Sequence, residues 1–91
     1  MTVTEIRTAD QDARLRDRVR EVMADTFGVD AADLTDDASQ STCAKWTSLY
    51  HMMLLVVLEE QFRVSFALDE MTSMTSLPQI VVVLKAHGVN S

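Results

Sequence analysis

Apolar residues recur at helical spacing along most of this chain, and very little interrupts that spacing. One stripe of the first predicted helix is apolar, and it consists of Leu15, Val19, Val22, Met23 and Phe27. Gly28 follows directly, where a helix favours a left-handed residue at its C-terminal end. Only two glycines and one proline occur in 91 residues, and no segment alternates with the period of a strand. These features predict an all-α fold.

Four helical segments, three long and one short, are predicted to form a small up-and-down four-helix bundle. Their expected ranges are about Asp10 to Phe27, Ser48 to about Phe62, Leu68–Met74 and Leu77 to His87. The first helix is expected to begin at a cap formed by Thr8 or Asp10, the second at one formed by Thr47 or Ser48, and the last at one formed by Ser76. The predicted organisation is a flexible arm over residues 1–8, one domain over 9–88 and a tail over 89–91.

The charge balance limits the partners of such a small domain. Fourteen acidic residues face eight basic ones, which gives a formal charge of −6. Nucleic acid is therefore not expected as a partner, because phosphate contacts need a basic footprint. The longest apolar runs are far shorter than the ~20 residues that cross a bilayer, so no membrane segment is expected. Without a secretory signal, and with Cys43 as its single cysteine, the chain is expected to be a cytoplasmic monomer without an internal disulfide.

A long polar segment separates the first two long helices. Residues 29–47 are dense in Asp, Ser and Thr, whose side chains bond to nearby backbone and compete with helix formation. We expect Val29, Leu34 and Trp46 to anchor this loop in the core. A loop of this length in a small domain is more often functional than a plain connection.

The second predicted helix is apolar on two sides. At about 100° per residue, the side expected to face the other helices consists of His51, Leu54, Leu55, Leu58 and Phe62. The opposite side is also apolar, and only Glu59 and Glu60 dilute it; its apolar members are Leu49, Met52, Met53 and Val56. We interpret these six residues as a docking surface for partner proteins, since exposed methionines adapt to several partners. The alternative is that Met52, Met53 and Val56 belong to the core.

The order of these features resembles the acyl carrier protein family. The resemblance rests on Phe-Gly-Val after the first helix, Trp46-Thr47-Ser48-Leu49 at the start of the second, and Leu-Glu-Glu-Gln-Phe at 58–62. It extends from about residue 13 to residue 87. Trp46-x-Ser48-Leu49-x-His51 is most similar to freestanding carriers of secondary-metabolite and glycan pathways.

This resemblance implies a covalent 4′-phosphopantetheine arm on Ser48. A phosphopantetheinyl transferase would attach the arm from coenzyme A with Mg²⁺, and its thiol would hold acyl groups as thioesters. The implied partners are that transferase, an acyl-loading enzyme (an acyltransferase or an adenylating ligase) and downstream synthases or transferases. The chain would be a non-catalytic carrier, and polyketide or another specialised pathway is favoured over housekeeping fatty acid synthesis.

Two departures from the family pattern bear on this interpretation. The Asp that usually precedes the modified serine is Thr47 here, and Tyr50 and His51 stand where acidic residues are frequent. Partner recognition is therefore expected to depend more on apolar contacts and less on charge. The first departure also leaves a second hypothesis open, an adaptor or regulatory module with the carrier fold but without the arm.

Other candidate sites have simpler interpretations. A Ser48–His51 catalytic pair would need an orienting acid and an oxyanion site, so we expect His51 to be a hydrogen-bonded structural residue. Cys43 is expected to be a half-buried small residue, and Asp36-Asp37 a solvated loop rather than a metal site. The arginines of the first helix, which are expected to form a solvated face rather than a basic patch, are Arg14, Arg16, Arg18 and Arg20.

Overall fold

The structure is a computed structural model that describes the backbone of residues 2–89 and the side chains of residues 12–89. Its elements are α1 (Thr2–Phe27), a 3₁₀ turn (Ala31–Asp33), α2 (Ser48–Phe62), α3 (Leu68–Ser73) and α4 (Leu77–Ala86). Within the described residues there is no strand, only an isolated bridge between Ser39 and Ser76. The predicted bundle of three long helices and one short helix is confirmed.

The start of α1 differs from the prediction. The helix begins at Thr2, so neither Thr8 nor Asp10 caps it. Residues 2–9 contain no glycine or proline, and their threonines and valine lower helix propensity only slightly. The flexibility proposed for residues 1–8 stays a prediction, and most of the proposed tail, residues 90 and 91, lies outside the described residues.

The core lies where α1, α2 and α4 meet, because α1 packs against both other long helices. The stripe predicted for α1 is confirmed, with Val22 only half-buried. The residues that α2 and α4 bury completely or almost completely are Leu54, Leu55, Leu58, Leu77, Ile80 and Leu84. Each of these side chains removes a large apolar surface from water, which stabilises the fold by about 1.5–3 kcal/mol.

The loop over 29–47 is bound to the helices on both sides. Leu34 and Trp46 are buried as predicted, Val29 is half-buried, and so is Cys43. The amide of Leu77 donates to the carbonyl of Ala38 at 2.8 Å, which ties the loop to the start of α4.

Asp36 ties the same loop to α1. Its carboxylate forms ion pairs with Arg16 at 3.7 Å and with Arg20. Asp36 is exposed, as expected for a solvated loop, but the loop folds back along the helix and pairs it with two arginines, of which Arg20 is largely covered.

Glu70 joins α3 to the end of α4. Its Oε1 accepts a hydrogen bond from the amide of Ala67 at 2.9 Å, and Nε2 of His87 lies 3.0 Å away. The amide of Ala67, and then the hydrogen bond with His87, hold the pKa of the Glu70 carboxyl below its usual value.

Replacing Glu70 by Gln should make the Tm of the protein less sensitive to a fall in pH. A carboxyl with a lowered pKa in the folded state stabilises the fold above its unfolded pKa, and this stabilisation is lost as pH falls through the folded value. The Tm difference between wild type and Glu70→Gln should therefore shrink between about pH 7 and about pH 3. Glu60→Gln, at an exposed position, is the matched control, and an equal shrinkage there would contradict the assignment to Glu70.

Candidate functional site

Ser48 is the first residue of α2, and its side chain is exposed. The residue that caps the helix is Thr47, whose hydroxyl accepts a hydrogen bond from the amide of Tyr50 at 3.3 Å. Of the two caps considered, Thr47 or Ser48, the structure therefore selects Thr47. Among the described residues, none is hydrogen-bonded to the Ser48 hydroxyl, which is consequently available to a modifying enzyme.

The start of α2 also offers backbone donors. The carbonyl of Thr47 accepts from the amide of His51 at 2.8 Å, so the amides of Tyr50 and His51 are both satisfied. Within residues 12–89, no group accepts from the amides of Ser48 or Leu49, and the first turn contains no acidic residue. Free amides at the positive end of a helix are suitable donors for a phosphate group, so this donor set fits a phosphate ester on Ser48.

Trp46 fixes the position of Ser48 from the loop side. Its side chain is only 2% exposed, and its ring lies 5.5 Å from that of Phe27 at the end of α1. Tyr50 in turn meets Phe27 edge to face at 6.2 Å. The serine is thus held at the surface between a buried residue two positions before it and a packed ring two positions after it.

His51 is not available as a base for Ser48. Its Nδ1 lies 3.0 Å from the indole nitrogen of Trp46, and its Nε2 lies 3.0 Å from the carbonyl oxygen of Met71. Both ring nitrogens are therefore hydrogen-bonded within the protein, and the prediction of a structural histidine that faces the core is confirmed.

A groove of about 320 Å³ opens beside Ser48, between α2 and α3. On the α2 side, Ser48, His51, Met52 and Leu55 line it. The opposite wall comes from α3, from the residue two positions after it and from the long loop before α2, and it consists of Leu68, Met71, Thr72, Thr75 and Gln40. No sequence pattern predicted this groove, because much of its far wall comes from a helix of only six residues.

The outer side of α2 is exposed along its length. The exposed fraction is 68% for Leu49, 56% for Met52, 52% for Val56 and 44% for Met53. The alternative that Met52, Met53 and Val56 belong to the core is therefore wrong. Together with Val57, a half-buried residue that the sequence analysis missed, these three residues line an apolar groove of about 340 Å³. The helical spacing between Met53 and Val57 is the signal that could have identified it.

The two glutamates at the end of this surface differ in their surroundings. Glu59 is half-buried, and its Oε2 accepts a hydrogen bond from the amide of Phe66 at 2.9 Å. Glu60 is exposed. Of these two glutamates, only Glu60 therefore presents a carboxylate that is not hydrogen-bonded to a backbone amide of the described residues.

Glu59→Ala should destabilise the protein by about 1–2 kcal/mol, because the amide of Phe66 would lose a charged acceptor. Glu60→Ala should change the free energy of unfolding by less than about 0.5 kcal/mol. Urea denaturation of both variants measures the difference. Equal stabilities would contradict a structural role for Glu59.

Comparisons with known proteins find relatives that share part of this sequence. Over 62 residues the chain is 37% identical to polyketide-8 synthase acyl carrier protein 2 of Streptomyces avermitilis. The matched segment covers 68% of this chain and 71% of the relative. It is 28% identical over 71 residues to an acyl carrier protein of Clostridium acetobutylicum, covering 78% of this chain and 92% of that protein. A scan against models of protein families finds no match.

The chain belongs to the acyl carrier protein family. One of its relatives takes its name from polyketide synthesis, and family membership supports a carrier role. Among residues 2–89, no helix combines the length and the apolar character needed to cross a membrane.

Proposed function

We propose that this protein carries acyl intermediates as thioesters on a 4′-phosphopantetheine arm attached to Ser48. The observation that supports this most directly is the free, exposed hydroxyl at the first residue of α2, next to two unsatisfied amides. The prosthetic group supplies a flexible arm that ends in a thiol. The protein itself contributes the hydroxyl as the attachment point and the helix start as the binding site for the phosphate.

The proposed partners are a phosphopantetheinyl transferase that uses coenzyme A and Mg²⁺, an acyl-loading enzyme, and downstream synthases or transferases. These partners would dock on the exposed surface formed by Leu49, Met52, Met53, Val56, Glu59 and Glu60. The first turn of α2 contains no acidic residue, and the carboxylate of Glu59 already accepts a hydrogen bond from the amide of Phe66. The partners' contacts with this surface would therefore be mainly apolar. Glu60 would provide the remaining charge.

A specialised pathway, such as polyketide synthesis, is the proposed setting, and the cytoplasm is the proposed compartment. Two observations support the pathway: the similarity to a polyketide synthase carrier and the Trp46-x-Ser48-Leu49-x-His51 pattern. The protein would act as a monomer that presents its cargo and performs no chemistry of its own.

Intact-protein mass spectrometry tests the proposal. After co-expression with a broad-specificity phosphopantetheinyl transferase, the protein should gain the mass of one phosphopantetheinyl group. A chain that stays unmodified even with the transferase of its own organism would instead support the second candidate, a carrier-fold adaptor without the arm. Thr47, in place of the family's usual Asp, is the observation that favours this candidate.

Thr47→Asp should raise kcat/KM for modification by a broad-specificity transferase about fivefold, which corresponds to about 1 kcal/mol from one exposed charge contact. Aspartate caps a helix at least as well as threonine, so the stability of α2 should not fall. Thr47→Asn, an equally good cap without charge, is the matched control. An equal increase in both variants would show that the charge at this position is irrelevant.

A further inference from the structure

His51 connects three separate parts of the chain through one imidazole ring. It belongs to α2, its Nδ1 is 3.0 Å from the indole nitrogen of Trp46, and its Nε2 is 3.0 Å from the carbonyl oxygen of Met71 in α3. An indole N–H can only donate, so Nδ1 must be the acceptor. The proton of the neutral ring is therefore on Nε2, which donates to Met71. This tautomer satisfies both nitrogens of a half-buried ring.

Both partners of His51 lie next to the proposed attachment site. Trp46 comes two residues before Ser48 and anchors the end of the long loop in the core. Met71 lies in the wall of the groove beside Ser48, together with Leu68 and Thr72. The imidazole thus links the loop that leads to the serine directly to the helix that faces it.

α3 needs such a link because it is short. A helix of six residues has little stability of its own and depends on contacts with the rest of the protein. Helix ends also leave carbonyl groups without backbone partners. Within the described residues, no backbone amide donates to the carbonyl of Met71, and Nε2 of His51 fills that place. Removing the imidazole would therefore leave the carbonyl of Met71 and the indole N–H of Trp46 without their hydrogen-bond partner at the same time.

We propose that His51 is a positioning residue for the attachment site. This role rests on the proposed carrier function. His51 holds two parts of the chain, α3 and the loop before Ser48, in the one arrangement that a phosphopantetheinyl transferase binds. Without His51, that arrangement is only fractionally populated, and the apparent affinity for the transferase falls by the same fraction. The loss should appear in KM and not in kcat, because the serine and the transferase's own machinery are unchanged.

The test compares apo wild type with His51→Phe and His51→Gln. Phenylalanine fills the space but makes neither hydrogen bond, whereas glutamine retains one acceptor and one donor. With a purified transferase and coenzyme A, well below each protein's Tm, His51→Phe should raise KM about fivefold or more and change kcat less than about twofold. The KM of His51→Gln should lie between that of the wild type and that of His51→Phe.

The indole resonance of Trp46 provides an independent readout, because this is the chain's single tryptophan. In the ¹H–¹⁵N spectrum, the indole N–H should exchange with solvent faster in His51→Phe than in the wild type. If His51→Phe does not fold, His51→Asn serves in its place, since its oxygen can accept from Trp46 but its side chain is too short to reach Met71. A folded His51→Phe or His51→Asn with wild-type KM would overturn the role of His51.

The failure of this inference can be distinguished from failure of the proposed function. A wild-type chain that no transferase modifies would overturn both the carrier function and the positioning role. A wild-type chain that is modified, together with unchanged kinetics in the His51 variants, would overturn the positioning role alone.

Discussion

Ser48→Ala should abolish phosphopantetheinylation completely while the protein keeps its fold. The hydroxyl of Ser48 makes no hydrogen bond within the described residues, and Thr47 provides the cap of α2, so alanine removes only the attachment point. The free energy of unfolding should change by less than about 0.5 kcal/mol. Intact-protein mass spectrometry after co-expression with a transferase measures the modification, and thermal denaturation measures the stability.

Ser65→Ala is the matched control for this variant. Ser65 is also an exposed serine, but it lies after α2. The Ser65→Ala variant should therefore show the same mass gain as the wild type. A mass gain that survives in Ser48→Ala would place the attachment elsewhere. Loss of the fold in Ser48→Ala would show that the hydroxyl has a structural role instead.

Val56→Glu should weaken transferase binding and leave stability nearly intact. Val56 is 52% exposed and lines the apolar groove on the outer side of α2, where a charge would be desolvated on contact with an apolar partner. We expect KM for the transferase to rise at least about tenfold, equivalent to about 1.4 kcal/mol. Glutamate is also a better helix former than valine, so Tm should not fall.

Val82→Glu separates the effect of position from the effect of charge. Val82 is 65% exposed on α4, and this variant adds the same charge to another helix. Its KM should match that of the wild type. If both variants bind the transferase equally poorly, net repulsion would explain the loss, and the docking surface would be contradicted. Unfolding of Val56→Glu would equally contradict it.

Much of the fold could be predicted because local patterns determined it. The alternation of inner and outer residues along α2 predicted which leucines are buried and which methionines are exposed. The boundaries of α2 followed from a cap at Thr47 or Ser48 and from the end of the apolar pattern at Phe62. These predictions depended on neighbours within one helix and on no distant contact.

The start of α1 and the roles of two acidic residues could not be predicted, for physical reasons. Without glycine or proline near Asp10, nothing local stops the helix there. Asp36 pairs with Arg16 and Arg20, and Glu59 accepts from the amide of Phe66, because the chain turns back on itself. Such contacts depend on tertiary geometry.

The position of His51 was predictable, but its partners were not. Helical spacing placed it on the inner side of α2 and favoured a hydrogen-bonded role. That its two nitrogens join Trp46 and the carbonyl of Met71 depends on where α3 lies, and no pattern in a six-residue helix reports this. The groove beside Ser48 was missed for the same reason.

The most direct test of the carrier function is the mass of this protein purified from the cells that produce it. Peptide mapping should find a phosphopantetheinyl group on the peptide that contains Ser48, alone or with an acyl group in thioester linkage. A chain that is entirely unmodified, in cells whose transferase modifies another carrier, would contradict the account.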